Sequence, residues 1–191
     1  THLSKYAVSY VRKTFNDIGK YTWAKTEIEV LASKGIINGT TATTFNPATS
    51  ITRADFMALL IKALSLTAAV DTNFSDVKPG DYYYNAVGIA KRLGITNGTG
   101  GERFDPRALI TRQDAMVLVD KAMKISGKGN SADASLLANY ADYTAIAPYA
   151  ADAIASLLLA GIVKGSNNNI MPKDYITRAE AAVMIYRVYN K

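Results

Sequence analysis

The sequence predicts a mainly all-α fold in which three repeats share one core around a central three-helix bundle of pseudo-threefold symmetry. Three observations lead there. The segment Ile51-Thr52-Arg53-Ala54-Asp55 returns as Ile110-Thr111-Arg112-Gln113-Asp114 and again as Ile176-Thr177-Arg178-Ala179-Glu180. A second motif, Gly35-Ile36-Ile37-Asn38-Gly39, returns as Gly94-Ile95-Thr96-Asn97-Gly98 and Gly161-Ile162-Val163-Lys164-Gly165. Each arginine-bearing segment then opens a stretch whose apolar residues fall at helical spacing. Repetition in fixed order marks units that stack to bury a common core.

The opening segment, Leu3 to Thr14, predicts one helix from Leu3, Tyr6, Tyr10 and Val11. Each repeat begins with an aspartate: Asp17, Asp76 or Asp142. An aromatic follows six or seven residues later: Trp23, Tyr82 or Tyr149. The first helix of each repeat starts there, as in Trp23 to Lys34, with Ile28, Leu31 and Ala32 on one face. The glycine motif stops it and turns the chain. A loop then carries an apolar residue two positions before a proline: Phe45 and Pro47, Phe104 and Pro106, Ile170 and Pro172.

The second helix starts at Thr-Arg-x-Asp/Glu, the pattern of a capping box. There the Thr hydroxyl accepts from the N3 amide, and the N3 carboxylate reaches back to the Thr N–H. The expected buried stripes are Phe56, Leu59, Leu60, Ala63 and Leu64; Met116, Val119, Ala122 and Met123; and Ala182, Ile185, Val188 and Tyr189. Three equivalent stripes bury most simply against one another. The repeats run over about 15–66, 74–125 and 140–189 of a single domain, 1–191, and a Gly-, Ser- and Asn-containing linker over about 124–135 accounts for the longer second spacing.

Composition removes many functions. The chain has 191 residues, 49% hydrophobic and 20% charged, with a formal net charge of +6. That is a globular composition whose charge favours an acidic partner without naming one. The absence of Cys excludes thiol nucleophiles, disulfides and Cys-ligated zinc, and His2 is the sole histidine. A Ser-His-Asp triad or multi-His metal site therefore has no residues to build it. The longest apolar stretches, Met57 to Leu66 and Ile154 to Val163, fall well short of the roughly 20 residues that span a bilayer. The start of the chain shows no signal peptide, and a mature chain would have lost one.

Arg53, Arg112 and Arg178 occupy N1 of their helices, where a cation is disfavoured by ~0.3–1 kcal/mol. Arginine there three times out of three points to an anion at that spot, held by free amides and a planar guanidinium. The competing reading pairs each arginine with an internal acid such as Asp17, Asp76 or Asp142. Trp23, Tyr82 and Tyr149 read either as core anchors or as sugar-stacking platforms. Gly39 and Gly98, followed by Thr40 and Thr99, read as helix-ending turns or as places where a ligand approaches the backbone. Lys62, Lys121 and Arg187 stand nine residues after each arginine, out of phase with it, and read as solvated cations or as members of an adjacent groove.

The threefold order of Asp, aromatic, Gly-Ile-x-x-Gly, Phe-x-Pro and Ile-Thr-Arg-Ala-Glu-like box resembles the S-layer homology repeat, over most of the chain. That resemblance implies a secreted, non-catalytic, three-pronged module without cofactor. Such modules hold Gram-positive surface proteins in the S-layer on secondary cell-wall polymer. It further implies recognition of a terminal pyruvylated N-acetylmannosamine in grooves between repeats. By the same resemblance, Arg53, Arg112 and Arg178 are the carboxylate grip, and Asp17, Asp76, Asp142 and the three aromatics are sugar contacts. The implied partners are that polymer and, through regions outside this chain, other S-layer subunits; neither nucleic acid nor membrane insertion is expected. Repeat three departs most, with Ile170 for Phe and a turn one residue shorter. Asp for Glu in the first two boxes is expected to matter little to a ligand. A polyanion binder and a two-carboxylate glycosidase are the alternatives, the first lacking a basic run and the second at odds with threefold matched acids.

Overall fold

The structure, a computed structural model, describes residues 12–191. The helix expected over Leu3 to Thr14 lies outside the described residues except for its last three positions, which are not helical. Six α-helices follow in order: α1 (Thr22–Ser33), α2 (Arg53–Ala63), α3 (Tyr84–Arg92), α4 (Arg112–Ile125), α5 (Ala151–Leu159) and α6 (Arg178–Tyr189). Short 3₁₀ turns at Ala134–Asn139, Tyr143–Ala145 and Pro148–Ala150 lead from α4 into α5. Among the described residues there is no β-strand, only isolated bridges, so the mainly all-α expectation holds. Because α4 runs to Ile125, the irregular part of the linker begins later than expected.

The first helices end where the glycine motif begins. Gly35, Gly94 and Gly161 take φ of +68°, +74° and +71°, which only glycine adopts freely. The expected stripes are inside: Phe56, Leu60, Met116, Val119, Ala122, Ala182, Ile185 and Val188 are fully buried, while Leu59, Leu64 and Tyr189 pack partly buried at the margin. Helix α2 packs on both α4 and α6. The first helices sit outside these, each on the second helix of the preceding repeat. Thus α3 packs on α2, α5 on α4, and α1 closes the series on α6.

The same circular order runs through the backbone. Ile51 N–H donates to Ile176 O at 3.0 Å, Ile176 N–H to Ile110 O at 3.1 Å, and Ile110 N–H to Ile51 O at 3.3 Å. Three buried isoleucines thereby close a ring. Around it, the amides of Arg53 and Ala54 at the start of α2 donate to Ala108 O and Pro106 O of the next repeat, at 2.9 and 3.1 Å. Arg112 and Gln113 donate to Asp174 O and Pro172 O, and Arg178 and Ala179 to Thr49 O and Pro47 O. Helix starts that would otherwise leave amides unpaired are capped by a neighbour's proline loop.

Each loop is held in shape by its own repeat's aspartate. Asp17 accepts from the amides of Phe45 and Asn46 at 2.8 and 2.7 Å. Asp76 accepts from Phe104 and Asp105 at 2.9 Å each, and Asp142 from Ile170 and Met171 at 2.8 and 2.6 Å. The second residue of each pair takes a positive φ: Asn46 56°, Asp105 54° and Met171 55°. The charge-assisted clamp holds a conformation that non-glycine residues disfavour. Burial alone would raise the carboxyl of Asp17, but the two backbone donors outweigh it and hold it below its ordinary value of 3.8.

Two outcomes follow for stability. Replacing Asp76 with Ala leaves two partly buried amides without their acceptor, and urea unfolding is expected to show a loss of about 1–3 kcal/mol. For Asp17, the native carboxyl binds its proton later than the unfolded one as pH falls. Its contribution is present above roughly pH 4 and is lost as pH drops through the depressed native value. Asp17→Asn is therefore expected to flatten the pH dependence of stability below pH ~4.

Candidate functional site

Capping fixes what the box arginines can do. Their backbone amides, and those of the residues after them, are already bonded to the next repeat. The N3 amides of Asp55, Asp114 and Glu180 are taken by the Thr52, Thr111 and Thr177 hydroxyls. The expectation of free amides at these helix starts is therefore overturned. What remains for an anion is the guanidinium.

Each guanidinium crosses to the next repeat. Arg53 Nε donates to Phe104 O at 3.1 Å, Arg112 Nε to Ile170 O at 3.0 Å, and Arg178 Nε to Phe45 O at 2.8 Å. Arg53 lies 5.1 Å from the Phe104 ring centroid and Arg178 4.6 Å from that of Phe45. Ile170 offers Arg112 no such ring. Arg53 and Arg112 are only 9% and 8% exposed. Burial lowers Arg53 from its ordinary value, with Asp114, Asp105 and Tyr149 opposing it. Burial likewise lowers Arg178, opposed by Asp55, Asp17 and Tyr82.

The residues around each arginine come from all three repeats. Arg178 of repeat three shares a cavity of about 910 Å³ with Asn38, Gly39, Asp55 and Lys62 of repeat one and Tyr82 of repeat two. Arg112 of repeat two shares a cavity of about 380 Å³ with Lys164, Gly165, Glu180 and Arg187 of repeat three and Trp23 of repeat one. Around Arg53 of repeat one stand Asp114 of repeat two and Tyr149 of repeat three. In the two cavities the arginine comes from one repeat, the glycine motif and box acid from the next, and the aromatic from the one after.

Trp23, Tyr82 and Tyr149 are 53%, 75% and 61% exposed, so the reading of these aromatics as core anchors fails. Tyr82 OH donates to Asp55 Oδ1 at 2.5 Å, and Tyr149 OH to Asp114 Oδ1 at 2.7 Å. Burial and then the bonded Asp55 raise the Tyr82 hydroxyl well above its usual value. For Tyr149 burial and Asp114 push it up to about 12.

Other expected contacts are already engaged within the protein. The oxygens of Asp17, Asp76 and Asp142 clamp backbone amides, as described above. An added Cβ at Gly98 would meet the Arg103 carbonyl and the Phe74 ring, and one at Gly39 the Phe15 ring and the Thr41 and Thr44 carbonyls. The loop's own closure therefore requires these glycines, although Gly39 also lines the larger cavity. Thr40 bonds to Thr44 O and receives Asn46 Nδ2, and Thr99 donates to Asp105 Oδ2 at 2.6 Å. Lys62, exposed, and Arg187, partly buried, stand in the last turns of α2 and α6 and also line the two cavities. A cation at the same offset in every repeat was the signal for them, but only the trans arrangement shows whose groove they enter.

The family model for the S-layer homology domain matches residues 14–57, 73–116 and 139–182. The chain belongs to the S-layer homology family. Members of that family are non-catalytic modules that anchor cell-surface proteins to the wall by binding carbohydrate polymer. The chain is 38% identical to an amylopullulanase of Thermoanaerobacterium thermosulfurigenes over 193 residues, covering 100% of this chain and 10% of that protein. It is 39% identical to the exoglucanase XynX of Acetivibrio thermocellus, over 93% of this chain and 16% of the enzyme. A surface-layer 125 kDa protein of Lysinibacillus sphaericus is 32% identical over 91% of this chain and 14% of that protein. The S-layer homology chain thus spans a small fraction of each of these relatives.

The hydrogen bond between tyrosine and box aspartate is open to direct measurement. In an ultraviolet pH titration, the signal lost in Tyr149→Phe is expected to ionise near pH 12. Adding Asp114→Asn is expected to move that ionisation down only part of the way towards ordinary tyrosine, because burial remains the larger cause.

Proposed function

We propose that this S-layer homology module anchors its parent protein by binding secondary cell-wall polymer at a terminal pyruvylated N-acetylmannosamine, in the grooves between repeats. The observation that carries this reading is the Arg178 cavity, where a half-buried arginine and an exposed aromatic line the same groove. Tyr82 there sets an apolar ring in the cavity of the half-buried Arg178, and the exposed Tyr149 is bonded to Asp114, whose charge acts on the buried Arg53. A sugar presents an apolar face to stack on a ring. A carboxylate on that sugar accepts from the guanidinium, whose Nε is already fixed to a backbone carbonyl.

The rest of the site serves that grip. The carbonyl holding Nε orients the guanidinium, and the ring of Phe104 or Phe45 lies against it. Lys62 adds positive charge to the Arg178 cavity and steers an acidic polymer towards it. The cations are distributed through the grooves, one box arginine to each, which suits discrete carboxylates better than a continuous phosphate backbone.

Calorimetric titration of the chain with purified polymer tests the reading. Arg178→Ala or Arg53→Ala is expected to weaken binding in its own groove by about 2–5 kcal/mol, as for one partner removed from a desolvated charge pair. Depyruvylated polymer is expected to lose affinity to a similar extent, and added DNA is expected not to compete. Equal binding of pyruvylated and depyruvylated polymer, or displacement by DNA, would show that the ligand is something else.

A further inference from the structure

Three residues that depart from the repeat pattern are Trp23 among the tyrosines, Glu180 among the aspartates and Ile170 among the phenylalanines; a fourth, Gln113 where the other boxes have alanine, bonds to Tyr149 OH at 3.1 Å in another groove. The first three come from repeats one and three, yet all three meet at Arg112. There Glu180 Oε1 accepts from Arg112 Nη1 at 2.9 Å, with the side chains 29% and 10% exposed. Glu180 Oε2 meanwhile accepts from Thr177 N and Thr177 Oγ1, completing a capping box. One carboxylate bridges a helix start and a neighbouring repeat's guanidinium.

The other two grooves are wired differently. Asp55 and Asp114 are one methylene shorter, and one oxygen of each takes the threonine hydroxyl. The second oxygen takes a tyrosine hydroxyl, from Tyr82 or Tyr149. Among the described residues, neither Arg53 nor Arg178 forms an ion pair with a carboxylate. Tryptophan at 23 has no hydroxyl with which to draw the acid away from arginine. Asp therefore goes with Tyr and leaves its arginine without a directly bonded carboxylate, Arg178 Nη2 donating instead to Asn38 O at 2.8 Å, whereas Glu goes with Trp and bonds its arginine directly.

We propose that Glu180 closes the Arg112 groove to carboxylate ligands, so that the chain carries two ligand sites, at Arg53 and Arg178, and one internal ion pair. This rests on the reading that the grooves bind a pyruvylated sugar. An incoming carboxylate at Arg112 must displace Glu180 and face its negative charge, which is the arrangement that excludes a like-charged partner. Lys164 and Arg187 also line this cavity, and Arg187 Nη1 is bonded to Ile162 O at 2.9 Å. Lys164 supplies a point charge on a flexible stem without the planar fork of arginine. In this groove Arg112 is a positioning residue that ties repeats two and three together.

Calorimetric titration of the intact chain with a synthetic pyruvylated N-acetylmannosamine glycoside reads the number of sites. Two equivalents are expected, falling to one in Arg53→Ala and in Arg178→Ala. Arg112→Ala is expected to keep two equivalents while lowering the melting temperature, a split that a ligand-gripping arginine does not give. Exchanging the wiring with Trp23→Tyr and Glu180→Asp together is expected to raise the count to three. Three equivalents in the unmodified chain, loss of a site in Arg112→Ala, or a folded double variant that stays at two would each overturn the proposal. A double variant that does not fold leaves the decision to the unmodified chain and Arg112→Ala. Absence of any binding by the unmodified chain would instead remove the underlying reading of the grooves, and the two-site proposal with it.

Discussion

Everything in this molecule depends on helix starts that are capped by another repeat. A helix N-terminus leaves amides that must find acceptors when buried. Here the first two amides of α2, α4 and α6 find them in the proline loop of the following repeat, and the isoleucine ring closes the circuit through Ile51, Ile110 and Ile176. Proline is suited to that loop because its carbonyl is free to accept while its own nitrogen asks for no partner. The aspartate clamp is a consequence of the same demand. A loop that must present two carbonyls to a neighbour has to be rigid, and Asp17, Asp76 and Asp142 supply that rigidity by bonding the amides of its strained residue and of the residue before it.

Circular capping also determines what a groove is made of. Because the loop of one repeat caps the helix of another, the box arginine is carried to the neighbour's Phe45, Phe104 or Ile170 carbonyl. Because α1, α3 and α5 each sit on the previous repeat's second helix, their leading aromatics arrive from a third direction. A single repeat therefore contains all the groove residue types and no complete groove. Removal of one repeat would disturb every groove at once, which is the opposite of a linear repeat array where units contribute locally.

Much of this architecture was legible in the residues. The order and spacing of Asp, aromatic, Gly-Ile, proline and Thr-Arg fixed the repeats, and helical periodicity found Phe56, Met116 and Ile185 as core. The trans wiring was not legible, because spacing within a repeat says nothing about which neighbour a side chain reaches. Trp23 looked the same as a core anchor, since an aromatic at a helix start is buried or exposed according to how α1 docks on α6. The acids named as partners for the arginines, Asp17, Asp76 and Asp142, clamp backbone amides instead; Arg112 bonds Glu180, and Arg53 and Arg178 bond no carboxylate among the described residues. The free amides expected at the helix starts were misjudged for the same reason, as their acceptors lie more than fifty residues away in sequence.

The difference between Asp and Glu in the box shows how one methylene redirects a network. At positions 55 and 114 the carboxylate stays at its own threonine hydroxyl and turns its free oxygen to a tyrosine. At 180 the longer side chain reaches the threonine amide and still spans to an arginine of another repeat. Neither arrangement leaves a buried side-chain polar atom unpaired among the described residues. Helix capping alone would therefore accept either acid, and the choice is felt at the neighbouring arginine. Because acid, arginine and aromatic lie in different repeats, irregularities scattered along the sequence meet in one groove, as Trp23, Ile170 and Glu180 do at Arg112. Repetition in the sequence and equivalence of the grooves are thus separate properties of this fold.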